Sequence, residues 1–159
     1  MRIVLFVLFF IISIISIMSC QSSFLRQDKE IVSMKQIHNF FGDYIIDGII
    51  ESNEIIFYKI APQFPSDYEF QKGVTVNLDK DRLEIRRILL SDSSYVFGLT
   101  KRALFIPEFA LNFVGEKKVT ILFSPSSEQI EVLEEGSKSK IDMDPAFNDI
   151  TSVLKKYIH

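Results

Sequence analysis

The stretch FIPEFALNFVGEKKVTILFSPSSEQIEVL, residues 105–133, decides the fold. Phe109, Leu111 and Phe113 alternate with Ala110 and Asn112, and Gly115-Glu116 marks a turn. Val119, Ile121 and Phe123 alternate again up to Ser124-Pro125-Ser126-Ser127, after which Ile130 and Val132 alternate with Glu131 and Glu134. Successive side chains of a strand point to opposite faces, so a period of two means one apolar face. Short turn-forming breaks between such runs mean antiparallel neighbours. Gly136-Ser137 and then Lys140 to Met143 add a further short strand. The expectation is an antiparallel meander with one wet face.

Working outward, Glu54 to Ile60 reads as a strand rich in aromatic and β-branched residues. Gly73 to Leu78 reads as a short strand with Val74, Val76 and Leu78 on one face, and Tyr95 to Leu99 as another strand. Ala61 to Asp67 carries two prolines and reads as a loop, and Ser91 to Ser94 as a turn. The period becomes helical in three places. Over 28–41 the spaced residues are Ile31, Met34, Ile37 and Phe41, stopped by Gly42-Asp43; an apolar stretch, Tyr44 to Ile50, follows and is broken by Asp47-Gly48. Over 79–90, Ile85, Ile88 and Leu89 fill the buried side, with Asp79 as the expected N-cap. Over 145–158, Phe147, Ile150, Val153, Leu154 and Tyr157 form a stripe, with Asp144 as cap, Pro145 at the first position and Lys155-Lys156 near the negative end of the helix dipole. Helices bracketing antiparallel strands predict an α+β fold: a β-meander sheet with about three helices packed on one face.

The chain has 159 residues, a formal charge of −3, one Cys and no Trp. The length suits one domain with a real core. A weakly acidic balance argues against a nucleic-acid partner, which would ask for a basic footprint. The basic pairs Arg86-Arg87 and Lys101-Arg102 read as solvated surface charge. Because the single Cys is Cys20, a domain beyond it can hold neither an internal disulfide nor a Cys-ligated metal. Its stability must come from packing, and twelve of the fifteen Phe residues lie beyond Cys20.

The first twenty residues have a composition of their own. Met1-Arg2 is a short positive start, Ile3 to Met18 is apolar apart from Ser13 and Ser16, and polarity returns at Gln21-Ser22-Ser23. These are the parts of an export signal, and the run is short for a spanning helix, which needs about 20 apolar residues. Ile17-Met18-Ser19-Cys20 resembles the lipobox of bacterial lipoproteins: Ile17, Ser19 and Cys20 fit, while Met18 stands where a small residue is usual. The resemblance implies cleavage before Cys20, a diacylglyceryl group on its thiol and acylation of the new amine. A plain secretory signal and an uncleaved signal anchor are the competing readings. The expected organisation is therefore a signal over 1–19, a lipidated tether over 20–27 and one domain over 28–159. The tether reaches at most about 25 Å, which keeps the domain near the membrane. Phe105 to Phe113 also resembles a strand of small uncharacterised exported bacterial proteins, to which no function attaches.

Motifs for chemistry are sparse. His38 has no partner His at helical spacing and His159 is terminal, so no transition-metal set is predicted. Asp79-Lys80-Asp81 and Asp142-Met143-Asp144 lack the Gly and Glu of a calcium loop and read as helix caps. There is no Gly-x-Ser-x-Gly elbow and no phosphate-cradling glycine loop. No cofactor is expected beyond the lipid on Cys20. The candidate contact residues are aromatic, Phe57, Tyr58, Phe64, Tyr68 and Phe70, around the proline loop. The expected function is a lipid-anchored cell-envelope protein that binds an envelope protein without catalysis. The alternatives are a module for a small or lipidic ligand and, behind it, a hydrolase needing His38, a carboxylate and a Ser together. Metabolic labelling with a fatty acid should mark the wild-type chain and leave Cys20→Ser unmarked; an unlabelled wild type refutes the lipobox reading.

Overall fold

The computed structural model describes residues 34–61, 69–99, 101–134 and 137–157. The period-two run becomes three consecutive hairpin-linked strands, β4 (Phe109–Val114), β5 (Val119–Ser124) and β6 (Gln129–Glu134), followed by β7 (Ser137–Asp142). Earlier in the chain lie β1 (Glu54–Ala61) and the two-residue strands β2 (Glu69–Phe70) and β3 (Val74–Thr75). All pair antiparallel in one seven-stranded sheet ordered β2-β1-β4-β5-β6-β7, with β3 also on β1. Among the described residues three α-helices complete the fold: α1 (Lys35–Glu51), α2 (Asp79–Leu89) and α3 (Phe147–Leu154). The fold is α+β with an open sheet, as the alternation predicts. Among the described residues no helix is long and apolar enough to cross a membrane. Gln36–His159 forms one compact unit, and the expected signal and tether lie outside the described residues.

Register fixes which side chains share a face. Ile55, Phe113 and Val119 stand opposite one another across β1, β4 and β5, as do Phe57, Leu111, Ile121 and Val132 across β1, β4, β5 and β6. These residues are all buried, and this first face receives the helices. Phe109 stacks on Phe123 with ring centroids 4.9 Å apart and on Phe57 at 5.8 Å, and Tyr157 beyond α3 reaches Phe57 at 6.4 Å. Gly48 of α1 sits so close to β5 that a Cβ there would lie 2.5 Å from Val119 Cγ2.

Charged groups, rather than side-chain caps, tie the helices to each other. Arg86 of α2 donates to Ile49 O at 3.0 Å, Ser52 O at 2.6 Å and Ser52 Oγ at 3.0 Å, satisfying carbonyls that the end of α1 leaves without intrahelical partners. It is therefore a half-buried clamp, not the solvated charge expected; burial and neighbouring Arg82 lower its pKa, and a guanidinium stays charged regardless. Buried Asp81 accepts from Tyr157 Oη at 2.6 Å and pairs with Lys156 Nζ at 2.5 Å. Burial works to raise its pKa, but the bonds from Lys156 and Tyr157 prevail and hold it below the usual carboxylate value. The same partnership, after burial, pushes the Tyr157 hydroxyl up to about 12.

Several local expectations are corrected. The apolar stretch after Gly42 is helical: α1 breaks at Gly42, where φ is 78°, and resumes to Glu51. A glycine allows that conformation at little cost, and the break lets Ile45, Ile46 and Ile49 continue the buried side. The start of the expected 28–41 helix and residues 62–67 of the proline loop lie outside the described residues. Asp79 is the first residue of α2 rather than its cap; Leu78 holds the cap position with no side-chain bond. Asp144-Pro145-Ala146 forms a 3-10 turn, and α3 begins only at Phe147. The Gly73–Leu78 strand shrinks to two residues, and Val76 is buried while Val74 and Leu78 are exposed, because the chain leaves the sheet to start α2. Tyr95–Leu99 is no strand but contributes one bridge, Val96 to Asp142.

Gly48→Ala should lower stability by roughly 1–2 kcal/mol net, the clash with Val119 outweighing the gain in helix propensity. In chemical denaturation the double variant with Val119→Ala should be more stable than the two single losses summed; strict additivity would mean the contact does not limit this packing.

Candidate contact surface

Alternation along the strands predicts a wet second face. At one end that face is dry, because residues 97–99 and 101–108 form an irregular strap that lies over it there, while the rest of the face stays half-buried. Ile60, Ala110 and Leu122 are buried there and pack with Tyr58, Phe105 and Leu133. An irregular segment brings amides with no ladder of their own, and burial without partners would be costly. A row of polar side chains supplies them. Ser124, Gln129 and Asp142 are cross-strand neighbours on β5, β6 and β7, all buried. The Lys101 backbone N–H donates to Asp142 Oδ2 at 2.9 Å, and Gln129 Nε2 donates to Lys101 O at 3.2 Å and Asp142 Oδ1 at 2.6 Å. Ile106 N–H donates to Ser124 Oγ at 3.1 Å, and Ser127 Oγ donates to the same oxygen at 2.9 Å. Backbone bonds close the far end, from Glu108 N to Phe123 O at 3.0 Å and from Ile60 N to Glu108 O at 2.9 Å.

The Lys101 ammonium is spent on the same framework. It binds Asp144, Glu128 Oε2 at 3.4 Å and Ser127 O at 3.3 Å. Asp144 raises the pKa of Lys101, and Lys101 in turn overcomes the opposing effect of burial to hold Asp144 below its ordinary value. Neither Asp pair acts as a helix cap: Asp81 serves the α2–Tyr157 contact, and Asp142 and Asp144 hold the strap. A short acidic motif before a helix reads as a cap from sequence; here long-range partners take the carboxylates.

Besides Lys101, Arg102 and Glu108, the strap exposes large apolar side chains. Leu99 is 77% exposed, Leu104 70% and Ile106 36%. Sequence reasoning misses these residues, since the segment has neither period and its apolar residues merge with the neighbouring strands. The aromatic candidates separate. Phe57 belongs to the core of the first face and presents nothing outward. Phe64 and Tyr68 lie outside the described residues. Tyr58 and Phe70 do meet, edge to face at 5.5 Å, at the β1–β2 edge, with Phe70 and nearby Val74 exposed. Cys20 also lies outside the described residues.

His38 sits on the outside of α1, with Nε2 3.2 Å from Asp43 Oδ1 and no hydrogen bond to a Ser among the described residues. Among the described residues no three His, Cys, Asp or Glu side chains converge as a metal site. Comparison with protein-family models, curated proteins and solved structures returns no match.

Asp142→Ala removes a charged acceptor from both Gln129 and the strap, a loss of about 1.5–3 kcal/mol. Trypsin should then cut after Lys101 or Arg102 faster than in wild type under native conditions. An unchanged cleavage rate would show that the strap is held without Asp142.

Proposed function

We propose that the chain is a lipid-anchored cell-envelope protein, exported by its signal, held to a membrane through Cys20, and acting as a non-catalytic protein-interaction module. The observation that carries the interaction reading is the Tyr58–Phe70 corner. Its rings pack on each other at 5.5 Å while Phe70 and Val74 stay exposed on short edge strands. Exposed aromatics that are already oriented by a neighbour lose little freedom on binding and are favoured as interface anchors. The strap supports the reading differently: its Lys101 and Ile106 amides and the Lys101 ammonium are engaged by the sheet framework, so those groups serve structure and display rather than proton transfer. The lipobox-like Ile17–Cys20 supports the anchor.

Replacing Phe70 with a photo-crosslinking phenylalanine analogue in cells should yield one discrete adduct with an envelope protein. Val74→Glu in the same chain should abolish it. The same analogue at Ile50, exposed on α1, should yield none. No adduct at Phe70, or equal adducts at both positions, sinks the reading of the corner as the contact.

A further inference from the structure

We propose that one end of the sheet lies flat against an anionic lipid bilayer, with Leu99, Leu104 and Ile106 entering the headgroup region and Arg102 meeting the phosphates. The inference rests on the anchor reading above and adds the face that the anchor brings down.

The argument starts from where the folded unit begins. The Gln36 and Ile37 amides donate to Asp92 at 3.1 and 2.8 Å, and Phe40 of the same helix packs on Phe97 at 6.2 Å. The first turns of α1 are therefore fixed to the segment that runs, two residues later, into Leu99. Val96 bridges Asp142 at the end of β7, and Lys101, Ile106 and Glu108 then bond in turn to β7, β5 and β1 at that same end of the sheet. The opposite end holds the finish of α1 and the β4–β5 turn, where Lys117 pairs with Asp47 at 2.5 Å. Sixteen residue steps separate Cys20 from Gln36, which span at most about 55 Å. A lipid on Cys20 would thus keep the folded unit within reach of the bilayer, and the chain enters that unit at the end that carries the strap.

That end has the composition a bilayer surface selects. Leu99 and Leu104 are the two most exposed large apolar residues among those described, and Phe40, packed on Phe97, is 42% exposed. Arg102 is exposed and makes no ion pair among the described residues, whereas the carboxylates of Asp142 and Asp144 are bonded to Gln129 and Lys101. Glu128 and, on the strap itself, exposed Glu108 are carboxylates that oppose the contact, so apolar insertion carries it and the headgroup attraction is a modest addition. Side chains placed this way reach about 5–10 Å into the headgroup boundary. Because the strap backbone is tied to the polar row, the three apolar side chains arrive already ordered.

The chain has no Trp, so a single introduced one reports its surroundings alone. The full chain, purified from cell membranes, is reconstituted into vesicles of phosphatidylethanolamine and phosphatidylglycerol. Leu104→Trp, and separately Leu99→Trp, should show blue-shifted emission and quenching by lipids brominated near the headgroup roughly twofold or more above that of Ile50→Trp. Adding Arg102→Glu should weaken the quench on these vesicles but not on phosphatidylcholine. If both strap variants are quenched no more than Ile50→Trp on vesicle-bound chain, the proposal is overturned. It is overturned equally if a photo-crosslinker at Leu104 captures an envelope protein while the vesicle quench is absent; the patch is then a protein contact. Fatty-acid labelling of Cys20 is scored on the same preparation, so the anchor stands or falls separately.

Discussion

An irregular peptide segment can lie on a dry sheet face only if its amides find partners there. In this protein three strand ends provide them. Ser124, Gln129 and Asp142 stand side by side across β5, β6 and β7, buried, each bonded to the strap or to another member of the row. Remove that row and the second face loses its cover. Ala110 and Leu122 would then stand in water on strands whose other face is already committed to the helices. The row also explains why the Ala110 and Leu122 ends of β4 and β5 can be buried on both sides without a second layer of regular structure.

The first face is governed by close approach instead. Gly48 admits α1 to within contact of Val119, and the Phe57–Phe109–Phe123 stack fills the space that α3 closes through Tyr157. Once the helices are there, their ends must be satisfied. Arg86 does this for α1, and Asp81 with Lys156 and Tyr157 joins α2 to the segment after α3. Removing Lys156 or Tyr157 would leave the buried Asp81 carboxylate short of partners, so these residues act more as conditions of the packing than as independent additions to it.

The strands of residues 109–134 are legible in the sequence because alternation is a local signal and the turns between them are short. The helices around Ile85 and Ile150 are legible for the same reason, at the other period. Local signals fail where distant residues decide. Asp79, Asp142 and Asp144 have the look of caps, yet partners dozens of residues away claim Asp142 and Asp144, and a backbone carbonyl begins α2. Tyr44 to Ile50 can be read either way until the sheet requires a helix against Val119. The strap leaves no pattern at all, since its fold depends on polar side chains that sequence alone places on a wet face. Of the aromatic candidates, Phe57 and Tyr58 are adjacent in sequence and therefore on opposite faces, which is why one is core and the other reaches the surface.

The break at Gly42 has a mechanical meaning. Ahead of it, the helix is held by two amide bonds to Asp92 and by the Phe40 and Phe41 rings against Phe97 and Tyr95. Behind it, Ile45, Ile46, Gly48 and Ile49 are buried under the sheet's own load of contacts. A pull arriving through the N-terminus therefore meets two fasteners in series, joined by a link that transmits tension but little bending. The outer one can peel while the inner one keeps its seat, so α1 works as a strain relief between whatever holds the chain and the body that must stay folded.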